Sequence, residues 1–155
     1  MEQQQLNYMK IAYKMAEKAE KKDEVPVGAI IVKDNKIIAK AYNKREKNKN
    51  ALHHAEILAI NLACKKLKRW RLEDCTIYVT LEPCIMCAGA ILNSRIKTIV
   101  IGCKDQKSGA FGSVLNSSDY FYNHTPNVVF GCLEDQCSNI LKMFFKNLRN
   151  KKRVK

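Results

Sequence analysis

"CTIYVTLEPCIMCAGAILNSR", residues 75–95, is the stretch whose reading decides the fold. Its opening, 75–83, is rich in β-branched and aromatic residues and predicts a strand closed by Pro83, which has no N–H to give to a sheet. Residues 84–95 suit a helix that begins just after Pro83. "KTIVIGC", 97–103, reads as a second apolar strand. The runs at 77–81 and 98–101 are nearly all apolar. That pattern belongs to strands buried on both faces, not to a half-solvated sheet.

Working outward, "HAEILAINLACKKL", 54–67, predicts a helix with Ile57, Leu58 and Leu62 turned inward. "VGAIIVKDNKIIAKAYN", 27–43, reads as two strands around a turn at Asp34-Asn35. Residues 3–22 predict a helix with Leu6, Met9, Ala12, Tyr13 and Ala16 on one face. After 103 comes a polar, Gly-containing stretch, 104–126. A short strand at 127–131 and a helix from about 134 to 152 complete the chain. Alternating strands and helices give an α/β fold, a three-layer sandwich with the sheet in the middle. No repeat, linker or change of composition divides the 155 residues, so the expectation is a single domain, 1–155, with a basic C-terminal helix and tail at about 134–155. The termini and "NKREKNKN", 43–50, are the expected flexible parts.

Twenty-eight Lys and Arg against 15 Asp and Glu leave a formal net charge of +13. Such a chain is attracted to polyanions, RNA and DNA first among them. A general bias toward Lys and Asn would produce the same number. No apolar run is long enough for a membrane span. The polar N-terminus, "MEQQQLNYMK", lacks the apolar core of a signal peptide, and the expected compartment is the cytoplasm. Seven cysteines, an odd number in a chain of this kind, are expected as thiols or metal ligands.

Cys84 and Cys87 form a CxxC at the start of a helix, where their side chains fall on neighbouring turns of one face and the helix terminus favours thiolates. A catalytic zinc needs three protein ligands and keeps one position for water. His54, opening the preceding helix, is the candidate third ligand. Two residues on is Glu56. Zinc makes a bound water acidic near neutral pH, and a carboxylate beside it can take that proton and pass it to a leaving group. His-x-Glu followed by Pro-Cys-x-x-Cys is the pattern of the zinc nucleobase deaminases. Other readings of the parts exist. A lone CxxC also suits a redox pair or half of a structural zinc site. A Cys₄ site needs a second pair, and Cys64, Cys75, Cys103, Cys132 and Cys137 contain no CxxC. The redox reading leaves His54 and Glu56 unexplained. His53 would point about 100° away from His54 on a helix and is read as solvent-facing or a cap. The remaining cysteines are read as small core residues. Trp70 is unassigned.

On these residues the chain resembles the cytidine deaminase-like superfamily and, within it, the bacterial tRNA-specific adenosine deaminases. The likeness spans roughly residues 5–150. It rests on "VPVGAIIV" at 25–32, Asn43, "HHAEILAI" at 53–60, "YVTLEPCIMCAGAILNSRI" at 78–96 and "GCKDQKSGAFGS" at 102–113. The resemblance implies a mixed, mostly five-stranded sheet flanked by helices, a homodimer, and conversion of adenosine to inosine at the wobble position (34) of the tRNA anticodon. It implies one Zn2+ per subunit held by His54, Cys84 and Cys87, and Glu56 as proton shuttle. Asn43 corresponds to a contact with the target nucleotide, and Val27 and Phe145 to pocket and anticodon-loop contacts. The chain departs from the family in "NKREKNKNAL", which lacks a Pro-containing version of that loop, and in "SSDYFYNHTPN" at 117–127. Two alternatives remain at this point. One is a zinc deaminase for a free base or nucleotide, such as guanine or cytosine. The other is a tRNA-binding zinc module without catalysis, for which Glu56 would have no use.

Overall fold

The computed structural model describes residues 1–120 and 123–154. Phe121 and Tyr122, within the divergent 117–127 stretch, and Lys155, the end of the basic tail, lie outside the described residues. In chain order the elements are α1 (Gln3–Lys21), β1 (Gly28–Lys33), β2 (Lys36–Tyr42), α2 (Arg45–Asn48), α3 (Ala55–Leu67), β3 (Cys75–Leu81), α4 (Ile85–Asn93), β4 (Thr98–Cys103), a 3₁₀ turn at Ser117–Asp119, β5 (Asn127–Val129) and α5 (Glu134–Val154). The sheet has five strands in the order β2-β1-β3-β4-β5. β1 is antiparallel to both β2 and β3, whereas β3, β4 and β5 run parallel. The sheet is mixed, as expected.

The hairpin turns where Asp34 and Asn35 sit, with φ of 50° and 61°. Two successive left-handed residues make the primed turn that matches strand twist, and Asp and Asn tolerate it. Strand alternation then sorts the core into two sides. Ile30, Val32, Tyr78 and Val100 pack with Met9, Ala12 and Met15 of α1. Ala29, Ile31, Ile77, Val79, Ile99 and Ile101 pack with Ala59, Ala63, Ala88 and Ile91 of α3 and α4. α5 lies beside α1, where a Cβ on Gly102 would collide with the Cys137 sulfur. At Gly28 a Cβ would overlap the α1 backbone at Ala12 and Ala16, so glycine there lets α1 sit directly on β1. The result is a three-layer α/β/α sandwich. Among the described residues no helix is long and apolar enough to cross a membrane.

Several local expectations are corrected. The buried face of α3 is Ala55, Glu56, Ala59, Ile60 and Ala63. Leu62 is exposed, and Ile57 and Leu58 are half-buried. Small residues face the sheet because α3 packs closely across β1 and β2; the large ones line its flanks. β3 ends at Leu81, two residues before Pro83, and the Glu82 side chain turns into the neighbouring loop. α4 begins just after Pro83, as expected, with Cys84 as its N-cap, but ends at Asn93, short of the expected Arg95. The stretch 43–50, expected to be flexible, contains the helical turn α2. The buried Glu24 carboxylate accepts hydrogen bonds there from the Glu46 and Lys47 N–H groups, at 3.0 and 2.9 Å. α5 continues as helix through Val154.

Candidate active site

One edge of the sheet gathers the chemistry. Because β3 and β4 run parallel and β1 runs against them, that edge holds the start of β1, the end of β2 and the ends of β3 and β4. Val27 precedes β1, Asn43 follows β2, Cys84 follows β3 and Cys103 ends β4. Ligand sites of open α/β sheets form in such crevices beyond the carboxyl ends of strands.

His54 and Cys84 are the N-cap residues of α3 and α4, both with extended backbone. The two helices thus aim their N-termini, with their partial positive charge, at the same point. There His54 Nδ1 lies 3.7 Å from Cys84 Sγ and 3.5 Å from Cys87 Sγ. The three donor atoms fall within 4.8 Å of one another. A tetrahedral zinc with bonds of about 2.0 Å to nitrogen and about 2.3 Å to sulfur separates its N and S ligands by about 3.5 Å. The donor set therefore fits zinc in kind, number and spacing. The Cys84 thiol is pulled down to about 4, first by its hydrogen bond with Cys87, while Cys87 is pushed up. His54 is raised, chiefly by its hydrogen bond with Cys84.

Glu56, in the first turn of α3, is buried at 4% exposure, and burial pushes its carboxyl up to about 7. A carboxyl that exchanges its proton near neutral pH is suited to carry one in both directions. Asn43 is almost as buried and braces the same helix. Its Oδ1 accepts from the Ala55 N–H at 2.8 Å, and its Nδ2 donates to the Val25 carbonyl at 3.1 Å. The His53 ring turns away to Asn48, with its Nδ1 2.9 Å from the amide nitrogen, and is no member of the donor cluster.

These groups sit in a cavity of about 630 Å³. Val27, Asn43, His54, Glu56, Cys84 and Phe145 all line it; Cys87 is buried behind the wall. Arg45, Lys104, Lys107, Lys142 and Arg149 line it too, and none of the five makes an ion pair among the described residues. Sequence reasoning missed the residue that builds the opposite wall. Glu82 is 1% exposed. Its carboxylate accepts from the N–H groups of Asp105 (3.2 Å), Phe111 (2.9 Å) and Ser113 (3.2 Å), and from the Ser113 hydroxyl. Gly109 lies against it so closely that a Cβ would overlap the carboxylate. The only signal in the sequence was an acidic residue at the end of an apolar strand, which solvent exposure explains equally well. The other five cysteines are free and lie in or at the edge of the core.

A family model for MafB19-like deaminases matches residues 3–149. The tRNA-specific adenosine deaminase of Bacillus subtilis (strain 168) is 49% identical over 148 residues, covering 95% of this chain and 92% of that protein. That of Rickettsia bellii (strain RML369-C) is 48% identical, covering 92% of this chain and 100% of the relative. A solved structure from studies of A-to-I editing by tRNA:A34 deaminases at the wobble position superposes with a TM-score of 0.85 at 38% identity, over 87% of this chain and 99% of the other. A guanine deaminase from Nitrosomonas europaea shares the fold, with a TM-score of 0.73 at 23% identity over 88% of this chain and 81% of the other. With a histidine–cysteine–cysteine cluster beside a buried glutamate, and relatives that match it almost end to end, the chain belongs to the bacterial tRNA-specific adenosine deaminases of the cytidine deaminase-like superfamily.

Proposed function

We propose that the chain hydrolytically deaminates adenosine to inosine at the wobble position (34) of a tRNA anticodon, in the cytoplasm, as a homodimer with one Zn2+ per subunit. The observation that carries this reading is the buried Glu56, two residues from His54 in a donor triad that fits zinc, at the base of a cation-lined cavity. His54, Cys84 and Cys87 would hold the metal. When bound there, zinc supplies the Lewis acidity that makes a water nucleophilic near neutral pH. Glu56 takes one proton from the attacking water and passes it to a ring nitrogen of adenine, then takes the second from the hydroxyl now on C6 and gives it to the departing amine as the C–N bond breaks. Adenosine and water become inosine and ammonia.

The chain's other residues bind and orient. Asn43 holds the helix that carries His54 and Glu56, and keeps one amide hydrogen for the nucleotide. Val27 forms an apolar wall, and Phe145, 40% exposed at the rim, offers a ring for a loop base to stack on. The five lining cations suit phosphates, which position an RNA without reading its sequence. A base in a hairpin loop leaves its stack more cheaply than one in a duplex. The exposed apolar side chains of Leu52 and Ile85, close in sequence to His54 and Cys84, support burial against a second copy. The experiment is to incubate the zinc-loaded protein with total tRNA and score inosine, following ammonia release from free adenosine, cytosine and guanine in parallel. Inosine confined to position 34 is expected. Ammonia from a free base with untouched tRNA would overturn the substrate.

A further inference from the structure

Trp70, the chain's single tryptophan, does not pack into the core; it is 56% exposed. It stands between α3 and β3, at the end of both elements opposite the cavity. Arg71 lies over its ring with the guanidinium carbon 4.7 Å from the centroid, and Arg95 approaches to 5.9 Å. Around it the segment "KKLKRWRLED", 65–74, with Arg95 and Lys97, carries seven cations against two acids. Lys65, Lys66, Lys68, Arg71 and Lys97 are exposed. Arg69 braces the loop from within, bonding both oxygens of Asp74 at 2.7 and 2.9 Å and the Arg71 carbonyl at 2.8 Å.

A helix C-terminus accounts for Lys65 and Lys66, which complement the dipole of α3. It does not account for a large aromatic ring held in solvent by cations on a braced loop. Aromatic rings among exposed cations are what nucleic-acid surfaces are made of: the rings stack on bases, and the cations meet phosphates. The thirteen residues of α3 separate this surface from His54 by about 20 Å. That is about six nucleotide steps at about 3.4 Å each, within reach of a folded RNA and out of reach of a nucleoside.

We infer that Trp70, Arg71, Arg95 and the lysines of 65–68 form a second RNA-contact surface, which engages the body of the tRNA while the reacting base occupies the cavity. This rests on the tRNA reading above. Because Trp70 is the sole tryptophan, its emission reports this surface alone. The zinc-loaded full-length chain is titrated with full-length tRNA and, separately, with free adenosine. Saturable quenching by tRNA is expected, with protection from acrylamide, and none by adenosine. In parallel, K65E/K66E/K68E should raise KM for tRNA about tenfold and leave kcat unchanged, and W70A should weaken binding about tenfold. Inosine formed on tRNA while Trp70 emission stays unmoved would overturn the second surface and leave the activity standing. An equal response to adenosine, or an unchanged KM in the charge reversal, would also overturn it. Absence of inosine with quenching intact would instead count against the proposed activity.

Discussion

Replacing Glu82 tests whether a buried carboxylate holds one wall of the cavity. Glu82→Ala removes the acceptor for three backbone N–H groups and one hydroxyl. The Phe111 N–H is buried, and leaving such a donor unpaired costs about 1–3 kcal/mol. Asp105 and Ser113 lie at more open positions, where water can replace the carboxylate and the loss is about 1 kcal/mol each. The total is about 3–5 kcal/mol. Glu82→Gln is gentler. An amide nitrogen in the place of Oε1 strands the Asp105 N–H but can donate to the Ser113 hydroxyl, for a cost of about 1–3 kcal/mol. Against a typical domain stability of about 5–15 kcal/mol, both variants should fold while the 105–113 loop loosens. Urea denaturation reads the first quantity and amide exchange of residues 105–113 the second. Glu82→Ala within about 0.5 kcal/mol of the parent, with the Phe111 amide still protected, would refute the reasoning.

The remaining predictions concern the floor of the site. Glu56→Gln should retain zinc and lose at least about 100-fold in turnover, read by metal analysis beside an inosine assay; unchanged turnover would sink Glu56 as proton carrier. Asn43→Ala removes the acceptor of the Ala55 N–H and should cost about 1–2 kcal/mol in a melt, with weaker zinc retention under a competing chelator. Burial pushes the thiols of Cys75, Cys103 and Cys137 up to about 12, so at pH 8 they should resist a thiol reagent in the folded protein. Removing the metal should then expose up to two further reactive thiols, and an unchanged count would mean that Cys84 and Cys87 hold no metal. Charge-neutralising pairs among Arg45, Lys104, Lys107, Lys142 and Arg149 should flatten the salt dependence of tRNA binding by about 0.7 for each loop phosphate left without its cation, and a constant slope would remove them from the interface.

The sandwich was legible because Ile77–Leu81, Thr80 apart, and Ile99–Ile101 are apolar on both strand faces, which requires cover on both sides. The donor triad was legible because zinc chemistry restricts residue type and spacing, and both constraints are written in single positions such as Cys84 and Cys87. The inward face of α3 was misread at Leu62. Hydrophobicity marks which residues gain by burial, but closeness of approach decided the face, and Ala59 and Ala63 allow a closer approach than leucine does. The order of 43–50 and the wall at 105–113 were not legible. Each depends on a carboxylate distant in sequence, Glu24 and Glu82, and a lone Glu looks the same in sequence whether solvated or buried among N–H groups.

The two carboxylates also differ in what they grip. Glu24 holds only the Glu46 and Lys47 amides, and Glu82 only the 105–113 segment; no hydrogen bond among the described residues links one loop to the other. The site is therefore assembled like a vice with separately bolted jaws over a fixed bed. Either jaw can change chemistry at positions away from its bolt and from its ties to the bed, which are Asn43 on Ala55, Lys44 on His53 and Ala110 on Pro83, while His54, Cys84 and Cys87 keep their places. A lineage exploring new substrates can alter one jaw at a time, and the metal chemistry beneath it is inherited intact.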